Sequence, residues 1–160
     1  MNPSSKYDLS PLSRYIKKIE TLVSPARHLP ADRPGVITGG YGETDPRLVH
    51  EGMIVPEDLA DAWLNARLAP IQLSVQQLVP FTLSQGQMIA LMDFVYNLGL
   101  KSLKDSTLLK DILAGKLDKA LNDFLSWDIA NGKVLSGLEK RRHVEANWFA
   151  GKQLDLNLGS

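Results

Sequence analysis

The chain of 160 residues contains no cysteine. Disulfide bonds, thiol nucleophiles and thiolate metal sites are therefore excluded. The compartment stays open, because a cysteine-free chain tolerates reducing and oxidising conditions alike. The three histidines, His28, His50 and His143, are scattered without the spacing of metal ligands. We therefore expect neither a metal nor any other cofactor.

An excess of charge is also missing, since 18 basic and 18 acidic residues give a formal net charge of zero. No basic stripe is interleaved with aromatic residues, so a nucleic-acid partner is not expected. No apolar run approaches the roughly 18 residues that span a bilayer. Residues 1–10 lack the apolar core and cleavage site of a signal peptide. We expect neither membrane insertion nor a cleaved leader.

What remains is typical of a globular protein, with 44% hydrophobic and 22% charged residues. This length is sufficient for one domain with a substantial core, or for two small lobes that share a cleft.

The first chemically interesting residue is Glu20. A helix is predicted to begin at Ser10, a capping residue, and Pro11, which suits a first turn. Pro25 disfavours helix at the residue before it, so the predicted helix ends near Val23. Glu20 lies at the edge of an apolar stripe with helical spacing, where a carboxyl is partly desolvated and suits general-acid catalysis. An ordinary boundary glutamate paired with a basic residue is the alternative. The stripe comprises Leu12, Tyr15, Ile16, Ile19 and Val23.

The segment after this helix supplies a second carboxylate, Asp32, and a hydroxyl, Thr38. Turn-forming residues surround Asp32, whereas Val36–Thr38 has strand propensity and Gly39–Gly40 favours a tight reversal. We interpret the stretch as a turn that leads into a short strand. Asp32 alternatively serves only an Asx turn, and Thr38 is alternatively an ordinary strand residue.

Most of the remaining chain is predicted to be helical. Residues 42–53 are expected to close a small antiparallel sheet. Pro56 opens a helix that Pro70 should kink or stop near Ala69, with a second piece at Ile71–Val79. Ser84 and Gln87 form a capping box for a buried helix that ends at Gly99. Shorter helices are predicted to follow over 106–113 and 117–127, then a turn at Asn131–Gly132 and a final helix from Ser136.

Three segments in order carry a resemblance. Asp32–Thr44 resembles the signature of the phage-type lysozymes (glycoside hydrolase family 24), in which aspartate and threonine follow a helix-borne glutamate. Leu83–Gly99 resembles the central helix of that family's second lobe, and Gly132–Glu145 its closing segment. The resemblance implies a mostly helical α+β fold with two lobes: an N-terminal lobe at 10–56 with a small antiparallel sheet, a linking helix at 57–79, a helical C-terminal lobe at 80–150 and a tail at 151–160.

The resemblance also implies residue roles. Glu20 is expected to protonate the leaving oxygen of a β-1,4 bond between N-acetylmuramic acid and N-acetylglucosamine in peptidoglycan. Asp32 and Thr38 are expected to position water. The residues expected to bind substrate in the cleft between the lobes are Glu43, Tyr96 and Asn97, and those expected to support the site are Arg141 and Arg142. The chain is expected to be a monomeric endolysin that starts in the host cytoplasm and reaches the wall through a holin.

Three departures from the family pattern leave alternatives open. Eleven residues separate Glu20 from Asp32, three more than is usual in the family, Glu43 replaces a histidine, and Thr21 replaces a glycine. Glu20 alone would suit a lytic transglycosylase, and Glu43 could replace Asp32 as the base. A peptidoglycan-binding or virion-associated module without catalysis is the non-enzyme alternative. Carboxylates about 6.5–9.5 Å apart would indicate an inverting reaction, and about 5–5.5 Å a retaining one.

Overall fold

The computed structural model describes residues 6–130, 133–134 and 136–152. The described chain is mostly helical and has two small antiparallel ladders, which confirms the predicted α+β class. The elements in chain order are α1 Ser10–Glu20, β1 Val23–Arg27, β2 Thr38–Gly40, α2 Glu57–Leu78, α3 Gln85–Leu98, α4 Leu100–Asp105, α5 Thr107–Leu113, α6 Leu117–Leu125, β3 Ile129–Ala130, β4 Lys133–Val134 and α7 Ser136–Phe149.

The chain divides into two compact units. Leu12–Ala69 forms one, here called the sheet unit, and Met1–Pro11 with Pro70–Ser160 forms the other, here called the helical unit. The boundary falls inside α2. None of the helices in the described part of the chain is long and apolar enough to cross a membrane.

Helix α1 ends at Glu20 and not near Val23, so the predicted end was three residues too late. The physical reason lies at Thr21, whose φ of 50° takes the backbone out of the helical region. Leu12, Tyr15 and Ile16 are buried as the stripe predicts. Val23 is buried too, but as the first residue of β1.

Strand β1 was not predicted, because the segment after the first helix was interpreted as a turn that leads into a single short strand. It pairs antiparallel with β2 through Val23 opposite Gly40 and Arg27 opposite Thr38. Ala26 also exchanges two backbone hydrogen bonds of 2.8 Å with the Gly52–Met53 segment. Residues 42–53 therefore close the sheet as expected, although they contain no strand of their own. Strand β2 begins at Thr38, and the predicted strand residues Val36 and Ile37 lie before it.

Helix α2 runs unbroken through Pro70 for 22 residues, so of the two predicted outcomes, a kink or a stop near Ala69, the stop was wrong. Leu68 before the proline and Val75 after it are both buried. Burial on each side outweighs the roughly 3 kcal/mol that proline costs inside a helix.

The helical unit is built around α3, whose residues from Met88 to Tyr96 are all buried. The capping box is confirmed: the Gln87 amide donates to Ser84 Oγ at 3.2 Å, and the Ser84 amide donates to Gln87 Oε1 at 2.9 Å. Gly86 lets α3 approach α7 closely, because a Cβ at this position would lie 2.2 Å from the Trp148 carbonyl oxygen. The methionines of α3, Met88 and Met92, are core residues.

The remaining helices and strands agree only in part with those predicted from the sequence. Helix α5 begins after Ser106, whose Oγ accepts the Leu109 amide at 3.0 Å. Helix α4 was missed, since Gly99 was interpreted as a stop, yet its φ of 88° and ψ of 156° lead directly into a new helix. The β3–β4 ladder was missed as well. The turn predicted at Asn131–Gly132 lies outside the described residues.

Candidate active site

Glu20 occupies the last position of α1 and is partly exposed. An α-helix leaves its last carbonyl groups without partners inside the helix, and its final turn frays easily. The carboxyl is therefore both accessible and dependent on neighbouring elements for a fixed position.

Asp32 and Thr38 are brought together by the fold. Thr38 Oγ1 donates to Asp32 Oδ2 at 2.7 Å, and the Leu29 amide donates to the same oxygen at 3.1 Å. The Asp32 amide returns a bond to the Leu29 carbonyl at 2.9 Å, which closes the turn. Within the described residues, Asp32 Oδ1 accepts no hydrogen bond. One carboxylate oxygen thus stabilises the turn, and the other is left for a ligand.

The two residues of this pair differ in their exposure to solvent. Thr38 is 4% exposed at the start of β2, whereas Asp32 is partly exposed. Because the buried hydroxyl donates its single hydrogen to Asp32, the hydroxyl oxygen can only accept further hydrogen bonds. The pair therefore presents two acceptors, Asp32 Oδ1 and Thr38 Oγ1, to a donor such as water.

Glu43 lies on the reversal that follows β2. Its backbone exchanges two bonds of 2.9 Å with Gly39, so the reversal extends over 40–42 rather than lying at Gly39–Gly40 alone. Its Oε1 accepts the amides of Thr44 and Asp45 at 2.9 and 2.8 Å. This side chain caps its own turn, a role that no spacing in the sequence revealed.

The reversal is held against α2. Gly40 has a φ of 60°, and a Cβ on it would lie 3.3 Å from atoms of both Ala60 and Trp63. Arg67 Nη1 donates to the Gly42 carbonyl at 2.9 Å. The first half of α2 thereby fixes the end of the hairpin whose other end carries Thr38.

Thr21, directly after Glu20, is the single non-glycine residue with positive φ in the described part of the chain. A left-handed backbone costs an L-residue about 1–2 kcal/mol, and a β-branched side chain is especially unfavourable there. The glycine that the phage-type lysozymes have after the glutamate avoids this cost.

We expect Thr21→Gly to raise the free energy of unfolding by about 0.5–1 kcal/mol, after allowing for the greater freedom of glycine in the unfolded chain. Thermal denaturation should show the midpoint rising by about 2 °C. Thr82→Gly is the matched control: this exposed threonine has no positive φ, so its replacement should lower the midpoint. A lower midpoint for Thr21→Gly would contradict the strain at this position.

Four predicted site residues belong to the helical unit. Tyr96 is buried at the end of α3, and Asn97 Oδ1 accepts Arg142 Nη2 at 2.8 Å. Arg141 and Arg142 are 6% and 0% exposed, so they are not a solvated basic pair. Their roles toward substrate stay predictions.

The two arginines are held by two carboxylates, Asp93 and Glu145, that were not among the predicted site residues. Arg141 makes two bonds of 2.8 and 2.9 Å to Asp93, and Arg142 Nη2 donates to Glu145 Oε1 at 2.7 Å. Burial raises the pKa of Glu145 well above its usual range, and the charge of Asp93 adds to that effect, whereas Arg142 opposes it. The signal was present: Asp93 is a lone charge among apolar residues of a buried helix, which requires a partner.

Residues 17–145 match the Phage lysozyme family, and the chain therefore belongs to that family. The match includes Glu20, Asp32 and Thr38. Among the described residues, no group of three or more histidine, cysteine, aspartate or glutamate side chains could hold a metal ion.

The chain is similar to several phage proteins. The endolysin of Bacillus phage B103 is 36% identical over 135 residues, which cover 84% of this chain and 50% of that endolysin. The chain thus spans about half the length of this relative. The SAR-endolysin of Escherichia phage Mu is 33% identical over 114 residues, covering 71% of this chain and 66% of that protein.

Solved structures show the same fold. The muramidase domain of SpmX from Asticaccaulis excentricus aligns with a TM-score of 0.79 and 32% identity, covering 90% of this chain and 98% of that one. The endolysin from Escherichia coli O157:H7 phage FAHEc1 aligns with a TM-score of 0.76 and 27% identity, covering 91% and 94%. The lysozyme-like fold expected from the sequence is confirmed.

Proposed function

We propose that the chain is an endolysin that hydrolyses the β-1,4 bond between N-acetylmuramic acid and N-acetylglucosamine in peptidoglycan. The observation that carries the proposal is the Asp32–Thr38 pair, in family order after Glu20, with Asp32 held through one oxygen only. Relatives that are named endolysins and a muramidase support the substrate class.

Glu20 is assigned the general acid. Hydrolysis of a glycosidic bond requires a proton on the leaving oxygen as the sugar acquires positive charge. A partly exposed carboxyl at the end of a helix is accessible to a substrate oxygen, which supports this assignment.

Asp32 and Thr38 are assigned the activation of water. A water molecule that donates one hydrogen to Asp32 Oδ1 and the other to Thr38 Oγ1 has its lone pairs directed away from both. Asp32 then removes a proton as the water oxygen attacks the sugar, which is the inverting route. The 2.7 Å bond from Thr38 keeps the carboxylate from rotating.

The substrate-binding roles of Glu43, Tyr96 and Asn97 and the supporting roles of Arg141 and Arg142 are retained in this proposal. For Asn97, support comes from its bond to the buried Arg142, which fixes the amide for a saccharide hydroxyl. As the family resemblance in the sequence implies, we also propose that the chain acts as a monomer and reaches the wall from the host cytoplasm through a holin.

Mass spectrometry of purified peptidoglycan digested with the protein tests the reaction. Hydrolysis should yield fragments that end in reducing N-acetylmuramic acid. Anhydro-muramyl ends would instead identify a lytic transglycosylase, in which the 6-hydroxyl of the sugar replaces water. Binding of the protein to pelleted peptidoglycan without released fragments would identify a non-catalytic module.

A further inference from the structure

Lys17 lies three residues before Glu20 on the last turns of α1. Its Nζ is 2.8 and 3.0 Å from the two carboxylate oxygens of Asp61 and 3.2 Å from Glu57 Oε1. Asp61 and Glu57 both belong to the first turns of α2. A single ammonium group thus joins the end of a short helix to the start of a long one.

Tyr41 completes this group, which we call the Lys17 cluster (Lys17, Tyr41, Glu57 and Asp61). The ring of Tyr41 is buried, and its centroid lies 5.5 Å from Lys17 Nζ. Its hydroxyl donates to Glu57 Oε1 at 3.5 Å. Because Tyr41 stands between Gly40 and Gly42 on the reversal after β2, the cluster connects α1, α2 and the hairpin.

Lys17 stays charged and Tyr41 stays neutral over the pH range in which an enzyme is assayed. The hydrogen bond to Asp61, and then that to Glu57, raise the pKa of Lys17 well above its ordinary value of 10.5. The stabilisation from this shift is fully present below pH 10.5 and is lost only as the pH rises through the higher folded value. Burial raises the pKa of Tyr41, so its hydroxyl keeps its hydrogen.

The end of α1 needs such a connection. The helix has 11 residues, a length at which an isolated helix is marginal in water. It ends on Glu20 and continues into the strained backbone of Thr21. The 22-residue α2, which also holds the hairpin through Arg67, offers a firm support.

We propose that Lys17 is a positioning residue for Glu20: through Asp61, Glu57 and Tyr41 it fixes the last turn of α1 relative to the hairpin that carries Thr38. This inference rests on the proposed role of Glu20 as the acid. Lys17 itself touches no reacting atom in this scheme.

The expected changes in kcat, KM and melting temperature distinguish a positioning role of Lys17 from a contribution to stability. Partly exposed ion pairs add little to stability, because solvent screens them. A displacement of a catalytic group by about 1 Å, however, can cost up to about 100-fold in rate. Loss of Lys17 should therefore lower kcat much more than it lowers the melting temperature, and it should leave KM nearly unchanged.

The experiment compares Lys17→Met, Lys17→Arg and Asp61→Asn in the full chain, with fragment release from purified peptidoglycan as the assay. We expect Lys17→Met to lower kcat about tenfold with KM within about twofold of wild type. Lys17→Arg should recover most of kcat, since arginine can bond the same carboxylates. Asp61→Asn should lower kcat as well, and the double variant Lys17→Met/Asp61→Asn should lose no more than Lys17→Met.

Lys101→Met is the matched control, because Lys101 forms an exposed ion pair with Asp105 on α4. It should leave kcat unchanged. A kcat of Lys17→Met within about twofold of wild type, or no recovery in Lys17→Arg, overturns the inference. Glu20→Gln measured in parallel separates the two claims. If it is inactive while Lys17→Met is fully active, the positioning role fails and the proposed function stands. If Glu20→Gln is itself active, the assignment of the acid fails.

Discussion

Replacing Glu20 with glutamine is expected to lower the rate of fragment release from peptidoglycan by a factor of about 10³ or more. Glutamine has the shape of glutamate but no proton to give to the leaving oxygen. Because Glu20 is partly exposed at the end of α1, the change should cost the fold little. The rate should be measured with the variant at a temperature well below its melting transition.

The control for this prediction is Glu51→Gln, the same change at an exposed turn residue of the sheet unit. It should retain the wild-type rate and melting temperature. A Glu20→Gln variant that is folded and still releases fragments at the wild-type rate would refute the assignment of Glu20 as the acid.

Elements with complete local signals could be predicted from the sequence. For α3, the capping box, the apolar spacing and the final glycine all agree, and the helix begins and ends where they indicate. The same holds for α5, where Ser106 accepts the Leu109 amide. Agreement among independent local signals is what makes a segment predictable.

Elements that depend on distant partners could not be predicted. β1 contains Pro25 and lacks a clear alternation, and it is a strand because β2 and the Gly52–Met53 backbone pair with it. The end of α1 depends on Thr21, a residue whose intrinsic preference opposes the backbone it adopts. Pro70 caused the opposite error: a helix stop was allowed for where the helix continues, because packing overrides intrinsic propensity in α2.

The candidate site shows the same difference between features with a local sequence signal and features that depend on distant residues. The resemblance of Asp32–Thr44 to a family signature predicted that Asp32 and Thr38 act together, and their side chains are hydrogen-bonded at 2.7 Å. The burial of Arg141 was not predictable from its own helix, because its partner Asp93 is 48 residues away in the chain. The sequence around Lys17 gave no signal of its role, because its partners Asp61 and Glu57 lie on a different helix.

The second large effect is expected at Asp32. Both hydrogen bonds to the Asp32 side chain end on Oδ2, so an asparagine can accept both through its single amide oxygen. Asp32→Asn therefore keeps the turn and replaces the base at Oδ1 with an amide group that cannot take a proton. We expect the rate of fragment release to fall about 10²- to 10³-fold, as for the loss of a general base, with little change in melting temperature.

Glu43→Gln is the comparison that decides between the two carboxylates of the hairpin. Glu43 is also held through one oxygen, by the amides of Thr44 and Asp45, so the carboxylate-to-amide change is structurally matched. If Asp32 activates water, Asp32→Asn should lose at least ten times more activity than Glu43→Gln. The opposite order would assign the base to Glu43. If both variants stay active and yield anhydro-muramyl ends, no carboxylate activates water, and Glu20 acts alone as the acid and base of a transglycosylase.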